Sequence, residues 1–131
     1  MHRPAIRYST DWLSEGLRQL DAIERLPDGW DSRGGSRPEA LVVEAGRKLL
    51  AALAAADEDL SKPHVHPTPS GGVQFHWETP ARYFEIEVLD AQTIQFYYLD
   101  RDEKQEAEGV QTLDAPLDEI VNFARRAQLP I

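Results

Sequence analysis

Three of the four histidines of this chain fall within thirteen residues, inside the stretch PHVHPTPSGGVQFHWE from Pro63 to Glu78. Imidazole nitrogens ligate zinc and other divalent metals, and three of them beside a carboxylate form a familiar donor set. His64, His66 and His76, with Glu85 on a neighbouring strand, are therefore the candidate metal ligands, and zinc is the ion that they would suit. A His76/Glu85 pair could also serve general acid-base chemistry, the carboxylate holding an imidazolium. A third possibility is a cluster that gains charge below about pH 6 and alters affinity for a partner.

Whether these side chains meet depends on the strands that carry them. Strand alternation puts Val73, Phe75 and Trp77 on one side and Gln74, His76 and Glu78 on the other. Turning Val65 inward with that apolar set, through a three-residue loop Ser70–Gly72, places His66 across from His76 and His64 across from Glu78. The next strand brings Phe84, Ile86 and Val88 to the apolar side. Its partner pairs are then Trp77 with Phe84, His76 with Glu85 and Gln74 with Glu87. One face should carry His64, His66, His76, Glu78, Tyr83, Glu85, Glu87 and Tyr97 together.

Against a metal or catalytic reading, such a face is flat, and Pro63 and Pro67 mark an edge strand. No G-x-S-x-G, P-loop, G-x-G-x-x-G or H-E-x-x-H pattern occurs. A solvent-facing sheet must carry polar residues in any case. The preferred reading of the histidines is accordingly a polar face, with no catalytic residue assigned.

The elements around this hairpin read as an α+β domain covering residues 1–131. Leu13, Leu17, Leu20 and Ile23 recur at helical spacing over 11–25, with Ser9 or Thr10 as cap. SRPE at Ser36–Glu39 fits a capping box opening a second helix, whose stripe runs through Leu41, Val42, Ala45, Leu49, Leu50 and Leu53. Alternation then predicts an antiparallel meander of four strands near 63–68, 73–79, 82–89 and 93–100, with a weaker fifth near 105–111. A last helix, capped by Asp114 with Pro116 in its first turn, uses Leu117, Ile120, Val121 and Ala124. The order is ααββββ(β)α, with two N-terminal helices and one C-terminal helix.

The chain has 23 acidic against 14 basic side chains and a net charge of -9. That balance disfavours nucleic-acid phosphates and anionic membranes and would steer a basic protein partner. Without cysteine there is no disulfide or thiolate site. The opening MHRPAIRYSTDW has no signal-peptide core and no run is long enough to span a membrane, so the expected location is the cytoplasm.

Between the first two helices, LPDGWDSRGGSRP sets Trp30 in a loop beside Asp31 and Arg33. One reading folds Trp30 back over the core while Asp31 bridges backbone amides. The other makes Trp30 an interface anchor and Arg33 a polar clamp. Taken together, Gly29, Trp30, Asp31, Pro38, Pro67, Thr68, Gly71, Gly72, Phe75 and Trp77 resemble a pattern in small, largely uncharacterised bacterial proteins. That pattern is a Gly-Trp-Asp loop ahead of a helix, then Pro-Thr, a Gly-Gly turn and an aromatic-x-Trp strand. The resemblance covers most of residues 26–99 and implies a bacterial protein of recurring single-domain design. This chain departs from the commoner form of the loop in having DSRGG after the tryptophan.

The function expected from these features is a non-catalytic, acidic protein-binding domain, in its most concrete form an antitoxin-like or immunity-like inhibitor of a basic bacterial partner. Trp30, Asp31, Arg33, Tyr83 and Tyr97 are its candidate binding residues. The alternatives are a metal-binding protein or metal-dependent enzyme built on His64, His66, His76 and Glu85, and an acidic secretion-chaperone-like dimer. An exposed meander edge is also compatible with a homodimer.

Overall fold

The computed structural model describes residues 8–128. The segment before Tyr8 lies outside what is described; Ser9 and Thr10, expected as caps of a helix over 11–25, are already helical, so neither is its N-cap. The elements are α1 (Tyr8–Glu24), α2 (Ala40–Ala56), β1 (His64–Pro67), β2 (Val73–Glu78), β3 (Arg82–Val88), β4 (Thr93–Asp100), β5 (Gln105–Thr112) and α3 (Asp118–Gln128). All five strands form one antiparallel sheet in the order β1-β2-β3-β4-β5. This is the α+β meander that the alternation predicted, and the fifth strand is a full member.

The inner sheet face is apolar: Val73, Phe75, Trp77, Phe84, Ile86, Val88, Ile94, Phe96 and Tyr98 are all buried. Each large side chain of this kind withdrawn from water contributes about 1.5–3 kcal/mol. The α2 stripe, Val42, Val43, Ala45, Leu49, Leu50 and Leu53, joins that core. Trp12, Leu20 and Ile23 bring in α1, which crosses α2 so closely at Gly16 that a Cβ there would lie 2.6 Å from Leu50 Cδ2. Arg47 clamps the pair from outside, donating to Glu24, Asp21 and Glu44. From α3, Ile120, Val121, Ala124 and Ala127 are buried, and Phe123 lies 4.7 Å from the Tyr98 ring.

The starts of the other two helices also differ from expectation. The capping box does not form: α2 begins at Ala40 with Glu39 as N-cap and no side-chain cap bond. Ser36 instead donates its backbone N–H to Pro69 O at 3.0 Å and makes a parallel bridge to Ser70. Pro38 also biases Arg37 toward extended backbone, which delays the first turn. Likewise Asp114 does not cap α3. Ala115 donates to Thr112 O in a turn, Pro116 precedes the helix, and the first helical bond described runs from Val121 N–H to Leu117 O.

The β1–β2 register is also corrected. His64 pairs with His76 and His66 with Gln74, two residues away from the pairing inferred from the burial of Val65. The connection is the five-residue loop Thr68–Gly72, closed by Thr68 N–H to Gly72 O at 3.0 Å, with Gly71 at φ +92°. A slide of two residues keeps every side chain on its face, so Val65 still packs against the core.

Candidate functional site

The outer sheet face carries one cross-strand row through all five strands: His64, His76, Glu85, Tyr97 and Glu108. Beside it run His66, Gln74, Glu87, Gln95 and Val110, and on the other side Glu78, Tyr83, Leu99 and Glu106. Glu78, Glu85, Glu87, Glu106 and Glu108 supply the charge, and no lysine or arginine occupies an outward strand position. Arg101 sits at the rim, 3.6 Å from Glu78. No helix packs on this face among the described residues, since α2 and α3 lie against its apolar reverse.

The face therefore brings together His64, His66, His76, Glu85, Tyr83 and Tyr97, as expected. His64 stacks on His76 with ring centroids 4.7 Å apart, and His66 meets the His76 ring edge-on at 5.4 Å. Imidazole lone pairs lie in the ring plane, so stacked rings do not aim them at a common point. Among the described residues no group of three or more His, Cys, Asp or Glu side chains is arranged to hold a metal ion.

His64 is exposed, whereas His66 and His76 are half-buried; the His76 ring is the one against both others. Its Nδ1 is buried and has no hydrogen-bond partner among the described residues. Burial, followed by the proximity of His64 and His66, holds its pKa below the ordinary imidazole value, with Glu78 and Glu85 opposing. Glu85 accepts from Tyr83 Oη at 2.7 Å, which ties it to a neutral phenol. Burial and that bond together push the Tyr83 pKa upward. Tyr97 Oη donates to Glu106 at 2.6 Å, and the bond raises its pKa too. Both tyrosines thus remain neutral donors whose rings form part of the surface.

The Gly-Trp-Asp loop is a different object, tied to the β1–β2 turn. Trp30 is half-buried and donates Nε1–H to Ser36 O at 3.1 Å. Asp31 Oδ1 accepts from the Arg33 and Gly35 N–H groups, which hold its carboxyl below the usual range. A Cβ at Gly35 would lie 2.6 Å from Asp31 Oδ2, so a larger residue there would push the Asp31 carboxylate out of these bonds. The expected bridging of amides by Asp31 is what the geometry shows, and of the three only Arg33 is exposed.

Three further features have no clear signature in the sequence. Thr68 Oγ1 accepts from Gly72 N–H at 2.9 Å and donates to Glu87 at 2.9 Å, locking the turn to β3. Asp100 is 1% exposed, binds Arg82 at 3.1 Å and accepts from Glu103 N–H at 3.0 Å. Glu106, Glu108 and Val110 complete the outer face from β5. The visible signal for β5 was Ala107 and Gly109 alternating with them, small residues where Phe96 and Tyr98 crowd the inner side.

Away from this face, a groove of about 590 Å³ lies where α2 meets the β3–β4 turn and the β5–α3 connection. Its ionisable lining groups are Lys48 and Asp114, with no nucleophile beside a base. It is remote from the histidines and supplies no chemistry to them. In comparisons with known proteins, no family model, curated protein or solved structure matches this chain.

Proposed function

We propose that this protein is a non-catalytic binding domain whose outer sheet face receives a basic protein partner. The observation that carries the reading is that face itself, with five glutamates, two tyrosines and no lysine or arginine at an outward strand position. Clustered carboxylates would steer a cationic surface toward it, and the tyrosine rings with exposed Val110 would supply contact area once it docks. An antitoxin-like or immunity-like inhibitor of a basic bacterial protein is the most concrete form, supported by the net charge of -9 and by the resemblance to small bacterial proteins.

The test is capture at low salt from a lysate of the cognate host, comparing wild type with a Tyr97→Ala/Glu108→Lys variant. A basic protein retained by the wild type and lost from the variant is the expected result. Retention of nothing above background, or of the same proteins by both, would sink this reading.

A further inference from the structure

The two edges of the sheet are built differently. In β1 the bond from Thr68 N–H to Gly72 O belongs to the β1–β2 ladder, so alternation assigns His64 and His66 to bonded pairs. The outward-facing backbone positions at that edge are then Pro63, Val65 and Pro67. Two of the three have no N–H to offer, and α1 packs against the strand. This edge is closed to a further strand.

At the other edge, Leu113 N–H donates to Gln92 O at 2.8 Å, in register with the β4–β5 ladder. Alternation therefore places Gln105, Ala107, Gly109 and Gln111 in bonded pairs with β4. Glu106, Glu108, Val110 and Thr112 turn their N–H and C=O groups away from β4 to the side where no strand pairs among the described residues. All four are exposed, Val110 at 65%, and no proline or lysine interrupts the strand. Edge strands of this length are usually blunted by such residues.

Resting on the reading of the outer face as a surface for a basic partner, we propose that the partner docks an extended segment as a sixth strand along β5. The segment would carry Lys or Arg at alternate positions, on the side that continues the glutamate-bearing face. Main-chain bonds to Glu106, Glu108, Val110 and Thr112 would hold it, and the side chains of Glu106 and Glu108 would select its charge. A second copy of β5 fits less well, since it would gather four glutamates on one strip and join two chains of net charge -9.

The probe is a blocked eight-residue peptide alternating Lys with Thr, titrated at low salt into isotope-labelled protein and followed by backbone amide spectra. Slowed amide exchange at Glu106, Glu108, Val110 and Thr112 is expected. Val110→Pro removes an open-side N–H without touching the β4–β5 ladder and should weaken binding at least tenfold. Glu106→Lys/Glu108→Lys, which leaves the backbone free, should weaken it similarly and guards against misfolding of the proline variant. Binding that a folded Val110→Pro leaves intact, with shifts confined to the middle of the sheet face, would overturn strand addition while the acidic-face reading stands. No binding at all overturns strand addition as well, and the capture experiment then decides the broader reading. A concentration-dependent dimer abolished by Val110→Pro would assign the edge to a second copy instead.

Discussion

The rings of His64 and His76 lie stacked across the β1–β2 ladder, 4.7 Å apart and inclined by 22°. Stacked imidazoles coexist easily when neutral and repel when both are charged. With His66 also against the His76 ring and no partner for the buried His76 Nδ1 among the described residues, the folded protein resists protonating that ring.

Stability should therefore fall as pH is lowered past the ordinary imidazole value of about 6.5. The unfolded chain takes up the His76 proton first, so the folded state loses ground until pH drops below the depressed folded value. Urea midpoints at several values between pH 7.5 and 5.5 check this. His76→Gln should flatten the profile, and His64→Ala should flatten it in part by removing a like-charged neighbour. A variant profile as steep as wild type would remove His76 as the cause.

Thr68→Val keeps the shape of the side chain but removes the acceptor for Gly72 N–H and the donor to Glu87. A buried N–H left without a partner costs about 1–3 kcal/mol, and chemical denaturation should show a loss in that range. A change under about 0.5 kcal/mol would mean that the turn does not depend on this bond.

Much of the architecture was legible because strand alternation is a strong signal when one face is buried. Phe75, Trp77, Phe84, Ile86, Phe96 and Tyr98 could only lie together, and their neighbours could only face out. The same logic is blind to a slide of two residues, which preserves faces and changes partners. Thr68 also ties the β1–β2 turn to Glu87 on β3, nineteen residues away, and no local pattern announces that contact. Ser36 departs from expectation for a related reason: its local sequence suits a helix cap, while a tertiary bond to Pro69 O takes its backbone elsewhere. Phe123 went unnoticed because an aromatic residue between polar helix positions gains meaning only once Tyr98, Phe84 and Phe96 are beneath it.

Asp100→Asn should lower the denaturation midpoint at pH 7 and matter less in acid. The Glu103 N–H and the Arg82 guanidinium hold the Asp100 carboxyl below its usual range. The stabilisation is therefore complete above the unfolded carboxylate value of about 3.9 and is lost as pH falls through the lower folded value. Midpoints of both proteins at pH 7 and pH 3 should converge toward the acid end. A constant offset would show that the charge is not what Asp100 contributes.

Gly109→Ala places a methyl 2.7 Å from Phe96 Cζ, at the point of the inner β5 row that the Phe96 ring fills. Relieving that overlap should cost about 1–3 kcal/mol, read by urea denaturation. The loss should be accompanied by faster amide exchange in β5 than in β2 or β3. Uniformly faster exchange through the sheet would mean that β5 does not loosen separately.

The bridge between Ser36 and Ser70 has a consequence for inheritance. It fastens the stretch that follows the Gly-Trp-Asp loop to the turn that precedes the aromatic-x-Trp strand, with α2 as the strut between them. Two phrases far apart in the text of the chain are thus halves of one joint, and α2 sets their separation like a ruler. Descendants of a common ancestor should keep or lose both halves together, and should vary in length in the return segment after Ala56 before they vary within the strut itself.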